Sequence, residues 1–467
     1  MWSTQKHFPC MKTICHPMVT YGRRYEIWKM RERRNERSEV VNKIPPSSML
    51  CKLRPPGEMI KELMIMDIAF HYFAVKTLAR EAGFPEDEAQ RIAEFSQYVD
   101  DYNWKLYLNC SNIPEYAKYD EYDLVISFLW DNFNPAQTGF FGWVDYVFLA
   151  TERNQKFVVS PFHFVPRGQV ADVEKQKHIR TVPATLNDGS ILSNLLRRVI
   201  DTYKDERALG QDTRITLMYL GMLLHTFADT YAHQMFSGYN SWVNKVELIN
   251  AIDNATGEDI TEEIQAEIRE LSRRAANNED NSANVDLIPA IGHAQAGHAP
   301  DLTYIAFTMQ YQSKKDSGFD SIYNRSNTTT FLDASRQIIN CLRKCLNKGD
   351  ISDADWALIN TRLSSAFLFK PNPKEDLFKQ LVSRWRGIFS GYVYSYNKET
   401  IEKRFLFAGA ENANVEAPAL NATAYTEEFY RYNCMADQVL IGFYGPHPRR
   451  GWFLAEDGSD IYERPSP

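Results

Sequence analysis

The chain has 467 residues, 44% hydrophobic and 13% aromatic, which is enough to build a sizeable core and too apolar for a disordered protein. Its formal net charge is −7, with acidic and basic residues interleaved, which argues against a broad nucleic-acid-binding surface. No apolar run reaches the length of a membrane-spanning helix, and the seven cysteines form no CxxC pair, so neither a disulfide framework nor a thiolate zinc site is expected.

Residues 1–58 are basic, carry Pro45, Pro46, Pro55 and Pro56, and lack apolar periodicity. They read as a poorly ordered extension with no signal-peptide core, and a cytoplasmic chain is the expectation. Residues 59–440 read as one helical domain. Its first helix spans 59–82 and stops at Gly83-Phe84-Pro85, and its second runs over 86–105. Further on, 123–130 and 156–164 are β-branched and aromatic and predict short strands or extended loops. From Ser190 the pattern is helical again, at 191–205, 211–237, 261–275, 301–313, 329–347, 352–366, 374–394 and 421–438. The acidic, Asn-rich stretch 253–286 reads as a solvated excursion, and 441–467 as an irregular tail. The fold class is mainly α, with a few short strands or extended loops.

Six of the ten histidines fall in four short segments. In LGMLLHTFADTYAHQ, His225, Asp229 and His233 are spaced i, i+4, i+8. Each four-residue step rotates a helical side chain by only about 40°, so all three share one stripe. That stripe continues upstream through Met222, Met218 and Ile215, which should face the core. Three ionisable groups on a buried face cost several kcal/mol unless they are paired or bound to a metal. Imidazole and carboxylate are zinc ligands, so metal binding is the expected resolution.

The segment from Ile291 to Asp301 adds His293, His298 and Asp301 beside Gly292 and Gly297, which allow the backbone to fold closely around a site. Asp301 follows Pro300 and has an ordinary reading as a helix cap. His71 on the first helix is, alone, a core histidine, and His163 lies between Phe162 and Phe164. Asp100 and Asp101 lie in the second helix, in SQYVDDYN. Adjacent aspartates diverge on a helix, so at most one faces a shared pocket.

The order of these motifs resembles the zinc-dependent phospholipase C and single-strand nuclease superfamily. LGMLLHTFAD looks like that superfamily's helix motif, and Phe162-His163-Phe164 like its aromatic-flanked histidine. Asp100 or Asp101 matches its bridging aspartate, His233 the next histidine, and His293 with His298 or Asp301 the closing pair. The phrases SQYVDD, PFHF, LHTFADTYAHQ and IGHAQAGH are similar to a family of uncharacterised microbial proteins. The chain departs from the phospholipase C pattern at Trp2, which follows Met1, and in the closing HxxxxH or HxxD.

The resemblance implies a multi-helix bundle holding two or three zinc ions on His71, Asp100, Asp101, His163, His225, Asp229, His233, His293, His298 and Asp301. Asp100 or Asp101 would orient an attacking water, and the substrate would be a small-molecule or lipid phosphodiester. No stable nucleic-acid complex is expected. Tyr72, Tyr98, Tyr231 and Arg167 are weaker candidates for substrate contact. A non-catalytic protein with a structural metal and a single-strand nuclease are the rival readings.

Overall fold

The computed structural model describes residues 68–102, 108–109, 132–133, 136–139, 154–166, 173–275, 288–311, 322–406 and 425–444. All of them belong to one unit, Glu62–Pro467. The basic extension 1–58, the stretch 123–130, Arg167 and the tail from residue 445 lie outside the described residues.

A π-helical turn, Ala69–Ala74, runs directly into α1 (Val75–Ala82), which Gly83 ends in the left-handed conformation at φ 110°. Helix α2 (Glu86–Asp101) follows, with Glu86, Asp87 and Glu88 at its positive N-terminal end. Helix α3 (Ile191–Ala208) is capped by Ser190, whose side chain accepts from the Ser193 amide. Helix α4 (Arg214–Ala232) is buried on every side from Thr216 to Ala232 except at Tyr219, so it is the central helix. A Cβ on Gly221 would lie 2.3 Å from the Ile92 carbonyl oxygen, so glycine lets α4 press directly on α2. That approach brings the end of α2 beside the middle of α4.

Strand β1 (Val246–Asp253) and helix α5 (Thr261–Ala275) come next. They precede β2 (Ile305–Tyr311) and β3 (Ile322–Ser326). The antiparallel sheet has the order β1-β2-β3, pairing Val246 with Tyr311 and Ala306 with Ser326. Helices α6 (Asn327–Cys345), α7 (Asp353–Phe367), α8 (Leu377–Ile388), α9 (Lys398–Arg404) and α10 (Glu427–Tyr444) complete the helical part. The fold is mainly α.

Three expectations are corrected. The stretch 301–313 contains a strand, because Ile305, Phe307, Met309 and Tyr311 are buried at a period of two. The stretch 156–164 is helical, formed by a π-helical turn Gln155–Val159 and a short helix Ser160–Phe162. Here the burial of Phe157, Val158, Val159 and Phe162 overrides their β propensity. Within 253–286, α5 is not a solvated excursion: Ile264 and Ile268, with Ile260 just before the helix, are buried at four-residue spacing.

Two hydrophobic cores result. One is built from the helices and runs from Phe70 to Phe443. The other lies between the sheet, α5 and the 288–304 segment, and includes Phe164, Phe236, Ile291 and Phe307.

Candidate metal centre

The end of α4 lies where the two cores meet. His225 and Asp229 are on the helix, both at 1% exposure or less, and His233 is the residue that ends it. The π-helical turn carries His71, whose Nε2 stands 3.0 Å from Asp229 Oδ1. That approach is too misaligned for a hydrogen bond, and Asp229 Oδ1 has no hydrogen-bond partner among the described residues. π-helical turns recur at functional sites because the wider turn re-aims a side chain.

His163 follows the Ser160–Phe162 turn. Its Nε2 lies 2.7 Å from the Thr138 carbonyl oxygen, which can only accept, so a neutral ring carries its proton there. Nδ1 is then a lone pair, standing 3.0 Å from Asp229 Oδ2, 3.3 Å from His225 Nε2 and 3.7 Å from Asp100 Oδ1. Asp100 Oδ1 is also 3.6 Å from His225 Nε2. Thr138 itself is pinned by its hydroxyl, which donates to the Val99 carbonyl. A Cβ on the next residue, Gly139, would lie 1.8 Å from the Asp100 carbonyl oxygen, so only glycine fits against the end of α2.

A second group forms around Asp301. His233 Nδ1 donates to the His163 carbonyl at 2.7 Å, leaving Nε2 facing Asp301 Oδ1 at 3.2 Å. His293 Nδ1 donates to the Gly297 carbonyl at 2.8 Å, leaving Nε2 facing Asp301 Oδ2 at 3.3 Å. The His233 ring stacks on Phe164 with centroids 4.3 Å apart. Gly292, at φ 52°, makes room for that phenyl ring.

Three sets of candidate ligand atoms result, each with all members within 4.8 Å of one another: His71, His225 and Asp229; Asp100, His163 and His225; and His233, His293 and Asp301. The first two share His225 and form one group; the third is separate. Within ion-pair distance Asp229 and Asp301 meet only histidines among the described residues, while Arg325 acts on Asp301 from farther off.

Burial, and then the neighbouring His71 ring, push His225 down to about 3, and burial pushes His293 down to about 4, so both rings stay neutral. Burial also works against a charged His233, but Asp229 and Asp301 outweigh it and raise its pKa. Asp229 is held well below the ordinary carboxylate range, because the surrounding histidines outweigh the burial that opposes its charge. Neutral imidazoles and ionised carboxylates are the forms a metal requires, so a metal at Asp301 would have to displace the proton that the raised His233 holds.

Two expected ligands do not join. Asp101 points the other way from Asp100, and its Oδ2 accepts from the Tyr396 hydroxyl. Burial raises its pKa to about 6. His298 Nδ1 pairs with Glu267 on α5, so the closing pair is His293 with Asp301. Tyr72 accepts from the Ser395 amide and Tyr231 donates to the Ala184 carbonyl, while Tyr98 is fully buried. The sequence reading missed Thr138, because it acts through a backbone carbonyl that leaves no side-chain signature.

A model of a family of unknown function, DUF6765, matches residues 66–440, a span that contains every one of these ligands. The chain is a DUF6765 protein. No curated protein and no solved structure matches it.

Proposed function

We propose that this DUF6765 chain is a zinc-type metal-dependent hydrolase acting on a phosphodiester, with lipid phosphodiesters as the substrate class suggested by its motif order. The observation that carries this reading is the convergence of His71, Asp100, His163, His225 and Asp229, whose ring nitrogens and carboxylate oxygens lie 3.0 to 3.7 Å apart in a largely buried pocket. Burying so many ionisable groups together is costly unless shared protons or a cation compensate them.

Bound across these ligands, a zinc-type ion supplies Lewis acidity toward a phosphoryl oxygen and lowers the pKa of water to about 7. The chain's own residues prepare for that chemistry. The Thr138, His163 and Gly297 carbonyls fix the tautomers of His163, His233 and His293. In this reading Asp100, the most open carboxylate of the set at 17% exposure, would orient a water and accept its proton. His293, at 18%, marks the other open end of the set. His225 offers one lone pair at Nε2 and serves one ion at a time, so the ligand sets provide for at least two ions.

Elemental analysis of the purified chain, paired with assays on bis-p-nitrophenyl phosphate and phosphatidylcholine vesicles, tests the reading. Two or more zinc equivalents and phosphodiester cleavage, both lost in His225→Ala and Asp229→Ala, support it. Metal without turnover on any phosphodiester leaves a structural metal protein. No metal in a folded chain sinks the reading.

A further inference from the structure

Arg325, the fourth residue of β3, is a buried cation at 7% exposure. Its fork does not close on a carboxylate. Nη1 donates to the Ala232 carbonyl at 2.6 Å and to the Tyr231 carbonyl at 3.3 Å. Nη2 donates to the Pro300 carbonyl, and Nε to Asn327 Oδ1 at 2.7 Å. The guanidinium also lies over the Phe307 ring, 4.9 Å from its centroid. Burying a guanidinium costs several kcal/mol unless it is well compensated. Here compensation comes from the negative end of α4, whose last carbonyls lack helical partners, from an aromatic face, and from the nearby Tyr323 and Asp301.

The carbonyls that Arg325 takes are informative. Ala232 immediately precedes His233, and Pro300 immediately precedes Asp301. One planar group therefore ties together the two backbone segments that deliver His233 Nε2 and Asp301 Oδ1 to their 3.2 Å approach. Asn327, which Arg325 orients, continues the job: its Nδ2 donates to the Ala299 and Leu302 carbonyls, each at 2.7 Å, on either side of Asp301. An ammonium has no fixed fork and cannot span these acceptors in one geometry.

We infer that Arg325 is the positioning residue of the His233–His293–Asp301 metal group, fixing its ligand spacing through two backbone carbonyls without touching the metal. The inference rests on the metal reading proposed above and extends it to a residue of the third strand.

The test is zinc titration of the full-length chain for wild type, Arg325→Met and Arg325→Lys, with thermal unfolding recorded for each. Both variants are expected to weaken zinc binding at the second group about 10- to 100-fold, the effect of removing a group that orients a ligand. Binding at the group of His71, Asp100, His163, His225 and Asp229 should be unchanged. Arg325→Lys keeps a cation at the end of α4 and serves if the methionine variant does not fold. Adding His293→Ala to Arg325→Lys should change little, whereas adding His225→Ala, which both ligand sets of the first group share, should remove the remaining zinc. General destabilisation would instead weaken both groups together, and that result overturns the inference, as does unaltered loading of the second group in Arg325→Lys. A wild-type chain that binds no zinc at either group overturns the metal reading itself and this inference with it.

Discussion

His163 bridges a carboxylate and a backbone acceptor: its Nδ1 stands 3.0 Å from Asp229 Oδ2 and its Nε2 2.7 Å from the Thr138 carbonyl oxygen. Asp229→Asn removes the charge that the surrounding histidines stabilise. The metal-free variant is expected to be less stable than wild type by about 1.5–3 kcal/mol, the value of hydrogen bonds to a charged group, because a carboxylate held well below its ordinary range contributes stability when ionised. Its zinc affinity should fall at least about 10-fold. Chemical denaturation with chelator present and zinc titration together check both losses.

The divergence of Asp100 from Asp101, and of His293 from His298, separates ligands from neighbours. Asp101→Asn and His298→Gln are expected to retain full zinc content, while Asp100→Asn and His293→Ala each lose affinity at one group. Elemental analysis after dialysis distinguishes the four variants.

Gly139→Ala drives a methyl group toward the Asp100 carbonyl oxygen at 1.8 Å, backbone against backbone, where no side chain can move aside. The expected cost is about 1–3 kcal/mol in unfolding free energy. Zinc affinity at the group containing Asp100 and His163 should fall as well, since the same segment supplies the Thr138 carbonyl. A stability loss with unaltered zinc binding would contradict this placement.

Without metal, stability should peak near pH 6.5. His225 and His293 are neutral when folded, down to about 3 and about 4, but take up protons near 6.5 when unfolded. The unfolded state therefore binds more protons below 6.5, and stability is lost as pH falls through that window toward 4. His233 is shifted the other way, up to about 9, so its contribution is complete below 6.5 and is lost as pH rises toward 9. Urea unfolding across pH 4–9 in chelator should show both limbs, and His293→Gln should flatten the acid one.

The long helices were legible because their apolar spacing and caps coincide, as at Ser190 and Ser352. The core of the site was legible for the same reason: His225 and Asp229 ride on a strongly apolar helix, buried almost throughout. Strand β2 was obscured by the Pro300-Asp301 pair before it, which imitates a helix start. Its alternation of Ile305, Phe307, Met309 and Tyr311 was the better signal. Arg325, Asn327 and Thr138 could not be read in advance, since each acts on or through carbonyls far away in sequence. Asp101 and His298 were over-read because neither their direction at the helix end nor the position of Glu267 is encoded locally.

The clamp on the second group also has a place in time. During synthesis the chain emerges N-terminus first, so all ligands of the first group are available once Asp229 has left the ribosome. His293 and Asp301 come later, and Arg325 later still. A nascent chain arrested before residue 325 would hold every ligand of the site but lack the fork that sets the spacing of the last three. Maturation of the second group would then wait for the third strand of a small sheet that supplies none of its ligands.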